Sequence, residues 1–431
     1  MDLAAEFERR IREHRLLELA EFFRGEEFVM PHYGGLSIAN LPATMAGLLG
    51  RKLEAAEPPL PARAWSDLSG GVRRVVWVIL DAVGYRHFRR LLEAGDTVWS
   101  RLAQEGTLVP LTSIFPSTTM AAMSSFWTGR APGGHGFLGR KLFLPEFGVL
   151  ADMIRLTLAT RGRPGSLLEW GWQPETFLPA PGLVQQLAAQ GVETVAHLYA
   201  PHVGSGLARL FLRGVSQVQG FINYSDMWIN VRDTLVQHRG EPLLVNAYWS
   251  GTDDVAHRYG PDDERFQAAV RQMARSFDAD FWASLPRAAR QGTVLIVIAD
   301  HGQIETPPER AVHLGQHPAL KEMLLLPPAA EPRASYLYVR RGQAEAVRAY
   351  VAEHLAEEFL LLDMDRAVAA GLFGPTEMSA ALRARLGDAL LLARNDSRLI
   401  AEGATAKQRG EHGSLSPEEM LVPLLMARLD G

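Results

Sequence analysis

Asp253 and His257 stand four residues apart in "GTDDVAHRYGP", so on a helical turn both side chains share a face and can grip one ion. Their neighbour Asp254 would point elsewhere, to solvent or to a supporting role. Two further acidic positions follow apolar runs. Asp81 comes directly after "VVWVIL", and the pair Asp300 and His301 comes directly after "TVLIVIA". Lying side by side at an irregular strand end, Asp300 and His301 can reach the same ion as Asp81. A sixth candidate, His412 in "GEHGSL", has flanking glycines that permit close approach. Each residue has a plain alternative as a helix cap, a structural hydrogen-bonder or a surface group. Together they do not, because burying several acids in one place is costly unless a cation compensates them. Three Asp and three His suffice for two metals with nitrogen and oxygen ligands. Such paired sites hold their ions ~4 Å apart and stabilise the attacking and leaving oxygens of a phosphoryl displacement.

Elements that could bring these residues together are visible around them. "VVWVIL", "LLVNAYWS" and "TVLIVIA" are short continuous apolar runs, as expected of strands buried on both faces. "VETVAHLYA" is a fourth, preceded by the helical "GLVQQLAAQG". Strands alternating with helices indicate an α/β fold, a mostly parallel sheet covered by helices on both faces. In such sheets ligands bind beyond the carboxyl ends of the strands, where the acids fall. Residues 1–70 are expected to form an N-terminal helical segment packed on the core, with His32 and Asn40 in capping or packing roles. The α/β core then runs over 71–330. Residues 331–400 read as strand, helix, strand, helix and strand, a small inserted α+β cap. Residues 401–431 return to the core, with a helix start at Ser416-Pro417-Glu418-Glu419.

The chain has 431 residues, a net charge of −5 and no cysteine. The charge argues against a nucleic-acid binder. The missing thiols exclude disulfides, thiolate catalysis and cysteine-held zinc. The charged N-terminus is not a signal peptide, and no apolar run spans a bilayer, so the expected location is the cytoplasm with no membrane partner.

One more stretch has the residues for chemistry. "FPSTTMAAMSSFWTGRAPGGHG" sets Thr118 and Thr119 before a helical run, and either hydroxyl could cap that helix. This segment, together with "VILDAVGY", "TDDVAHRYGP", "IADHG" and "EHGSL", resembles the alkaline phosphatase superfamily, most closely its type I phosphodiesterase/nucleotide pyrophosphatase family. The five motifs stand in the family's order. The resemblance implies that Asp253, His257 and His412 hold one divalent ion and that Asp81, Asp300 and His301 hold the other. Zinc fits this ligand mixture and the family, and manganese accepts the same ligands. Counting back nine residues from Thr128, as in the relatives, makes Thr119 the nucleophile of a covalent phospho-threonine intermediate and leaves Thr118 as a local hydrogen-bonder. The implied activity is hydrolysis of a small phosphodiester, nucleotides included. Phosphomonoester hydrolysis, a metal-dependent phosphomutase and an inactive binding protein are the alternatives. Sulfatases on this scaffold use Cys or Ser as nucleophile and are disfavoured. The sequence departs from the diesterase pattern at Arg140, where an Asn is frequent five residues after the His of "HG", here His135. Arg140 is a candidate substrate-binding residue whose charge would favour a doubly charged monoester.

Overall fold

The computed structural model describes residues 2–23, 25–160, 162–238 and 240–431. Its centre is a seven-stranded sheet in the order Thr107–Thr112, Leu421–Arg428, Thr293–Ile298, Arg74–Leu80, Leu243–Trp249, Glu193–Tyr199, Gln217–Phe221. The five strands from Thr293–Ile298 to Gln217–Phe221 pair in parallel, with Val75 in register with both Leu244 and Val294. Arg74–Leu80 and Thr293–Ile298 are buried at every residue, the reason Val75–Leu80 and Val294–Ile298 within them read as unbroken apolar runs. Helices cover both faces. Trp77 packs against Phe126 and Trp127 of helix Thr119–Thr128, with ring centroids 5.3 and 5.5 Å away. Helices Tyr85–Glu93, Val98–Glu105 and Tyr224–Gln237 gather Phe88, Trp99 and Trp228 into another aromatic cluster. No helix among the described residues is long and apolar enough to cross a membrane.

The tail departs from expectation. Ser416 does cap a helix with a reciprocal Glu419 bond, but the helix is only Pro417–Met420. The chain then becomes the strand Leu421–Arg428, antiparallel to both neighbours. Pro423 tolerates this interior place because it faces Pro110 across one ladder and lies just before pairing with Thr293–Ile298 begins at Leu424. At the N-terminus, helix Leu3–Glu13 buries Phe7 and Ile11. Asn40 forms a reciprocal cap with Ser37, and the His32 ring lies 4.5 Å from that of His14.

A second seven-stranded sheet runs Phe359–Asp363, Ala389–Ala393, Ala334–Leu337, Ala329–Glu331, Lys141–Leu144, Val149–Asp152, Thr157–Leu158. The segment beyond residue 331 therefore shares its sheet with residues 141–158, through the register pair Ala330 and Lys141. The junction sets Glu331 beside Arg140. A buried ion pair fastens the same segment to the tail: Arg333 Nε lies 2.8 Å from Glu419 Oε1, both side chains fully buried. Glu419 also accepts from the Ser414 and Ser416 amides, which braces the loop that carries His412. Arg333→Ala leaves the Glu419 carboxylate buried without its counter-charge and is expected to lower unfolding stability by ~3 kcal/mol or more in a chemical-denaturation experiment.

Candidate active site

All six expected ligands lie at the carboxyl edge of the central sheet or on the loop against it. The Asp81 amide still donates to Trp249 O at 3.0 Å, so it extends the ladder of strand Arg74–Leu80. Asp300 and His301 follow strand Thr293–Ile298 after Ala299. Asp253 and His257 occupy helix Gly251–Tyr259, which begins two residues past strand Leu243–Trp249. His412 follows the short strand Gly410–Glu411, which pairs with Ile304–Glu305.

Asp81, Asp300 and His301 form one compact group. His301 Nε2 lies 3.6 Å from Asp81 Oδ1 and 3.4 Å from Asp300 Oδ2. A second group joins Asp253, His412 and again His301, with the His301 and His412 rings stacked 3.8 Å apart. His257 lies on the far oxygen of Asp253, its Nε2 3.3 Å from Oδ2. The structure thus gathers the six residues, with His301 standing between the two groups and His257 at the outer end of the second. Burial by itself would lower the His257 pKa, but the Asp253 carboxylate outweighs it and lifts the imidazole to about 9. His257 and Asp253 are therefore an ion pair, whose proton a cation would displace.

Whether these residues suit metal ions is decided by where their spare atoms face. His257 Nδ1 is 2.7 Å from Gly410 O, His301 Nδ1 is 3.0 Å from Gly302 O, and His412 Nδ1 is 2.9 Å from Ser117 O. A carbonyl only accepts, so each ring holds a proton at Nδ1 and turns Nε2 toward the carboxylates, the arrangement that orients metal-binding imidazoles once the second His257 proton is displaced. The buried Asp81 Oδ1 and Asp300 Oδ2 have no hydrogen-bond partner among the described residues. Burial, then the charges of Asp300 and Asp253, push the Asp81 carboxyl well above its ordinary range. Unsatisfied buried acids opposed by imidazole nitrogens are the donor set of a divalent transition ion.

Thr119 opens helix Thr119–Thr128, and its Oγ1 lies 3.1 Å from His301 Nε2. The N-terminus of the helix therefore stands at the same place, and the positive end of a helix suits a phosphoryl oxygen. Thr118 occupies the N-cap position but makes no side-chain cap bond, so the expectation of a capping hydroxyl is corrected. The hydroxyl bonds instead to the Glu331 carboxylate, reaching across from the second sheet. Glu331 also accepts from the Arg140 amide at 2.7 Å, and its carboxyl is pushed up to about 7 by burial. Arg140 Nη2 reaches Asp152 Oδ2 at 3.2 Å, and its buried Nε has no hydrogen-bond partner among the described residues. Arg140 is thereby held next to the residues that position the threonine pair. Asp254 is exposed on the outer side of its helix.

Three supporting residues escape the motif reading. Tyr248 donates its hydroxyl to Asp81 Oδ2, and Gln303 donates to Asp253 Oδ1. Glu411 accepts from Arg398 at 3.2 Å and lies 4.0 Å from His257 Nδ1. Tyr248 alone left a signal, a polar ring near the end of an apolar strand that neighbours the strand leading to Asp81.

The sequence profile of the family described as type I phosphodiesterase/nucleotide pyrophosphatase matches residues 75–415. No match is found among curated proteins. Among solved structures, murine ectonucleotide pyrophosphatase/phosphodiesterase 5 superposes with a TM-score of 0.62 at 16% identity, covering 81% of this chain and 87% of its own. An inactive form of that murine enzyme, in complex with AMP, gives the same TM-score at 15% identity, with coverages of 82% and 87%. Phosphonoacetate hydrolase from Sinorhizobium meliloti, in complex with phosphonoacetate, gives 0.58 at 17% identity, with coverages of 82% and 89%. Fold and profile agree: the chain belongs to the type I phosphodiesterase/nucleotide pyrophosphatase family, and it is a hydrolase of that type.

Proposed function

We propose that the protein is a two-metal phosphodiesterase that acts on nucleotide-type esters through Thr119. The observation that carries this reading is the trio of imidazoles, each fixed at Nδ1 by a backbone carbonyl, with the Thr119 hydroxyl 3.1 Å from one Nε2. Asp81, Asp300 and His301 would hold one ion, and Asp253, His257 and His412 the other. Bound there, zinc or manganese would supply Lewis-acid charge that lowers the pKa of a hydroxyl and neutralises phosphoryl oxygens. Thr119 Oγ attacks phosphorus, and its new P–O bond forms as the bond to the leaving group breaks on the opposite side. The amides that open helix Thr119–Thr128 hold a non-bridging oxygen during the displacement. Water then cleaves the phospho-threonine.

A nucleotide substrate is supported by an aromatic shelf at the rim. Trp249, whose carbonyl binds the Asp81 amide, stacks with Phe221 at 6.1 Å and meets Tyr224 edge-on at 5.6 Å. Tyr199 extends the shelf toward solvent. Such faces accept a nucleobase by stacking. The murine structure with AMP is consistent with a substrate of this class.

Monoester hydrolysis is the second reading, and Arg140 favours it. A monoester carries close to two negative charges at neutral pH against one for a diester. Assay with bis-p-nitrophenyl phosphate, p-nitrophenyl phosphate and a nucleotide diester tests both readings, and failure on every ester removes them. Arg140→Asn is expected to lower monoester kcat/KM relative to diester kcat/KM roughly tenfold, the effect of losing one charge-assisted contact. An unchanged ratio would show that Arg140 serves only to tie Asp152 and Glu331 together.

A further inference from the structure

The central sheet has two edges, and the chain treats them differently. Strand Thr107–Thr112 is covered: helix Leu3–Glu13 packs on it, and the Thr112 amide donates to Leu36 O at 2.8 Å. At the other edge, strand Gln217–Phe221 is exposed at Gln217, Val218 and Gly220. Its register with Glu193–Tyr199 is unbroken from Val195–Gln217 to Tyr199–Phe221, and no other part of the described residues bonds to its backbone. Natural sheets protect such an edge with lysine, proline, an inward charge or a bulge. This edge has none of them, since Gly214–Ser225 contains no charged residue, no histidine and no proline. Four of the eight large apolar or aromatic side chains exposed among the described residues, Tyr199, Val203, Val218 and Ile222, lie on or beside this strand. Exposed apolar surface is therefore concentrated where free backbone groups are.

Which groups are free follows from the neighbouring pairs. The Glu193 amide donates to Pro242 O at 3.0 Å, toward strand Leu243–Trp249. Alternate residues of Glu193–Tyr199 face that strand, which leaves Thr194, Ala196 and Leu198 to face Gln217–Phe221. In this register Gln217, Gln219 and Phe221 bond inward, and Val218 and Gly220 turn N–H and C=O outward. The Ile222 amide is taken by Asp226 at 2.9 Å, which ends the free stretch. Val218 and Gly220 complement each other. A second copy related by a two-fold axis at Gln219 opposes Val218 to Gly220 twice, and each opposed pair exchanges two hydrogen bonds. Gly220 leaves room for this: a Cβ there would meet Ala200 and Val203 at 3.4 and 3.5 Å, on the face that Val218 shares. That apolar floor is left to the Val218 side chain of the second copy. The flanking charges agree, since Arg213 precedes the neutral stretch and Asp226 follows it. Antiparallel pairing sets the basic end of each copy toward the acidic end of the other, whereas parallel pairing would set like beside like. We infer that the chain forms a homodimer through antiparallel pairing of Gln217–Phe221 with itself about a two-fold axis at Gln219, which joins the two central sheets into one. The inference uses neither the ligand groups nor Thr119, so it stands apart from the esterase reading.

Analytical ultracentrifugation of the full chain tests it. At micromolar concentration the unaltered protein is expected at twice the chain mass. Gln219 faces its own counterpart across the axis, so Gln219→Glu and Gln219→Lys each set two like charges together. Either variant alone is expected to raise the dimer dissociation constant at least about hundredfold, the scale of an opposed like-charge pair. An equimolar mixture of the two variants is expected to regain the dimer, because an acid then faces a base. A variant that had merely misfolded could not do this. Amide hydrogen exchange of the unaltered protein gives a second reading. Val218 and Gly220 should exchange at least about tenfold faster on dilution below the dissociation constant, while Gln219, bonded within its own sheet, should change little. A monomeric unaltered chain, which would leave the edge to an extended segment of another protein, would overturn the dimer. So would a dimer that persists in both variants, a mixture that stays monomeric, or Val218 and Gly220 exchange that ignores concentration.

Discussion

Thr119→Ala is expected to lower turnover of bis-p-nitrophenyl phosphate by at least about ten-thousandfold, the scale on which removal of a catalytic nucleophile acts. The fold should survive the change. Thr119 is the first residue of helix Thr119–Thr128, and alanine is a good helix former that costs the helix nothing there. The two groups of acids and imidazoles remain, so metal content should stay near that of the unaltered protein. Thr118→Ala makes the contrast. It removes a hydroxyl from the buried Glu331 carboxylate, and an unsatisfied buried acceptor costs about 1–3 kcal/mol. Turnover should persist in that variant while thermal stability falls. Trapping with a slow substrate and mapping the phosphorylated peptide separates the two residues. A label on Thr118, or appreciable turnover by the Thr119 variant, removes Thr119 from the chemistry.

The parts of this arrangement legible in the sequence are those that a single strand fixes locally. Val75–Leu80 and Val294–Ala299 are apolar throughout because both sheet faces are covered, and the acid that ends each run must emerge at the carboxyl edge. The Asp253–His257 spacing is likewise a property of one helix. What depended on distant partners was hidden. Strand Gln217–Phe221 is the sheet edge and mostly exposed, so it has none of the apolar signature of its neighbours. Strand Leu421–Arg428 stands behind a genuine capping sequence and contains a proline, two features that argue for other structure until Pro110 is known to face it. The Thr118 hydroxyl looked free to cap because its acceptor, Glu331, arrives from a different sheet. That sheet is joined by one register pair and anchored by the buried Arg333–Glu419 ion pair, and no local pattern announces either.

Metal removal is expected to have the other large effect, and it separates a binding role for the acids from a structural one. Protein purified without chelator should contain two transition ions per chain, and EDTA should abolish turnover until zinc or manganese is restored. Stability should fall too, because an ion present at a thousandfold excess over its dissociation constant contributes about 4 kcal/mol to the folded state. Asp300→Asn gives this a test of sign. Asp300 Oδ1 accepts from the amides of Ala82 at 3.2 Å and His301 at 2.9 Å, and an asparagine oxygen can keep both bonds. Its Oδ2 has no hydrogen-bond partner among the described residues and faces the His301 edge, as does Asp81 Oδ1, which likewise has none. Replacing that oxygen by an NH2 group puts a donor where two carboxylates now oppose each other. In EDTA the variant should therefore unfold at a higher temperature than the unaltered protein, by roughly 1 kcal/mol of relieved repulsion and gained hydrogen bonding. In the presence of zinc the order should reverse, because the variant loses a charged ligand and with it the stabilisation that binding confers. Thermal unfolding of both proteins with and without metal reads the crossover. If Asp300→Asn is the less stable protein under both conditions, the acid at 300 is a structural hydrogen-bonder and Asp81, Asp300 and His301 are not a metal site.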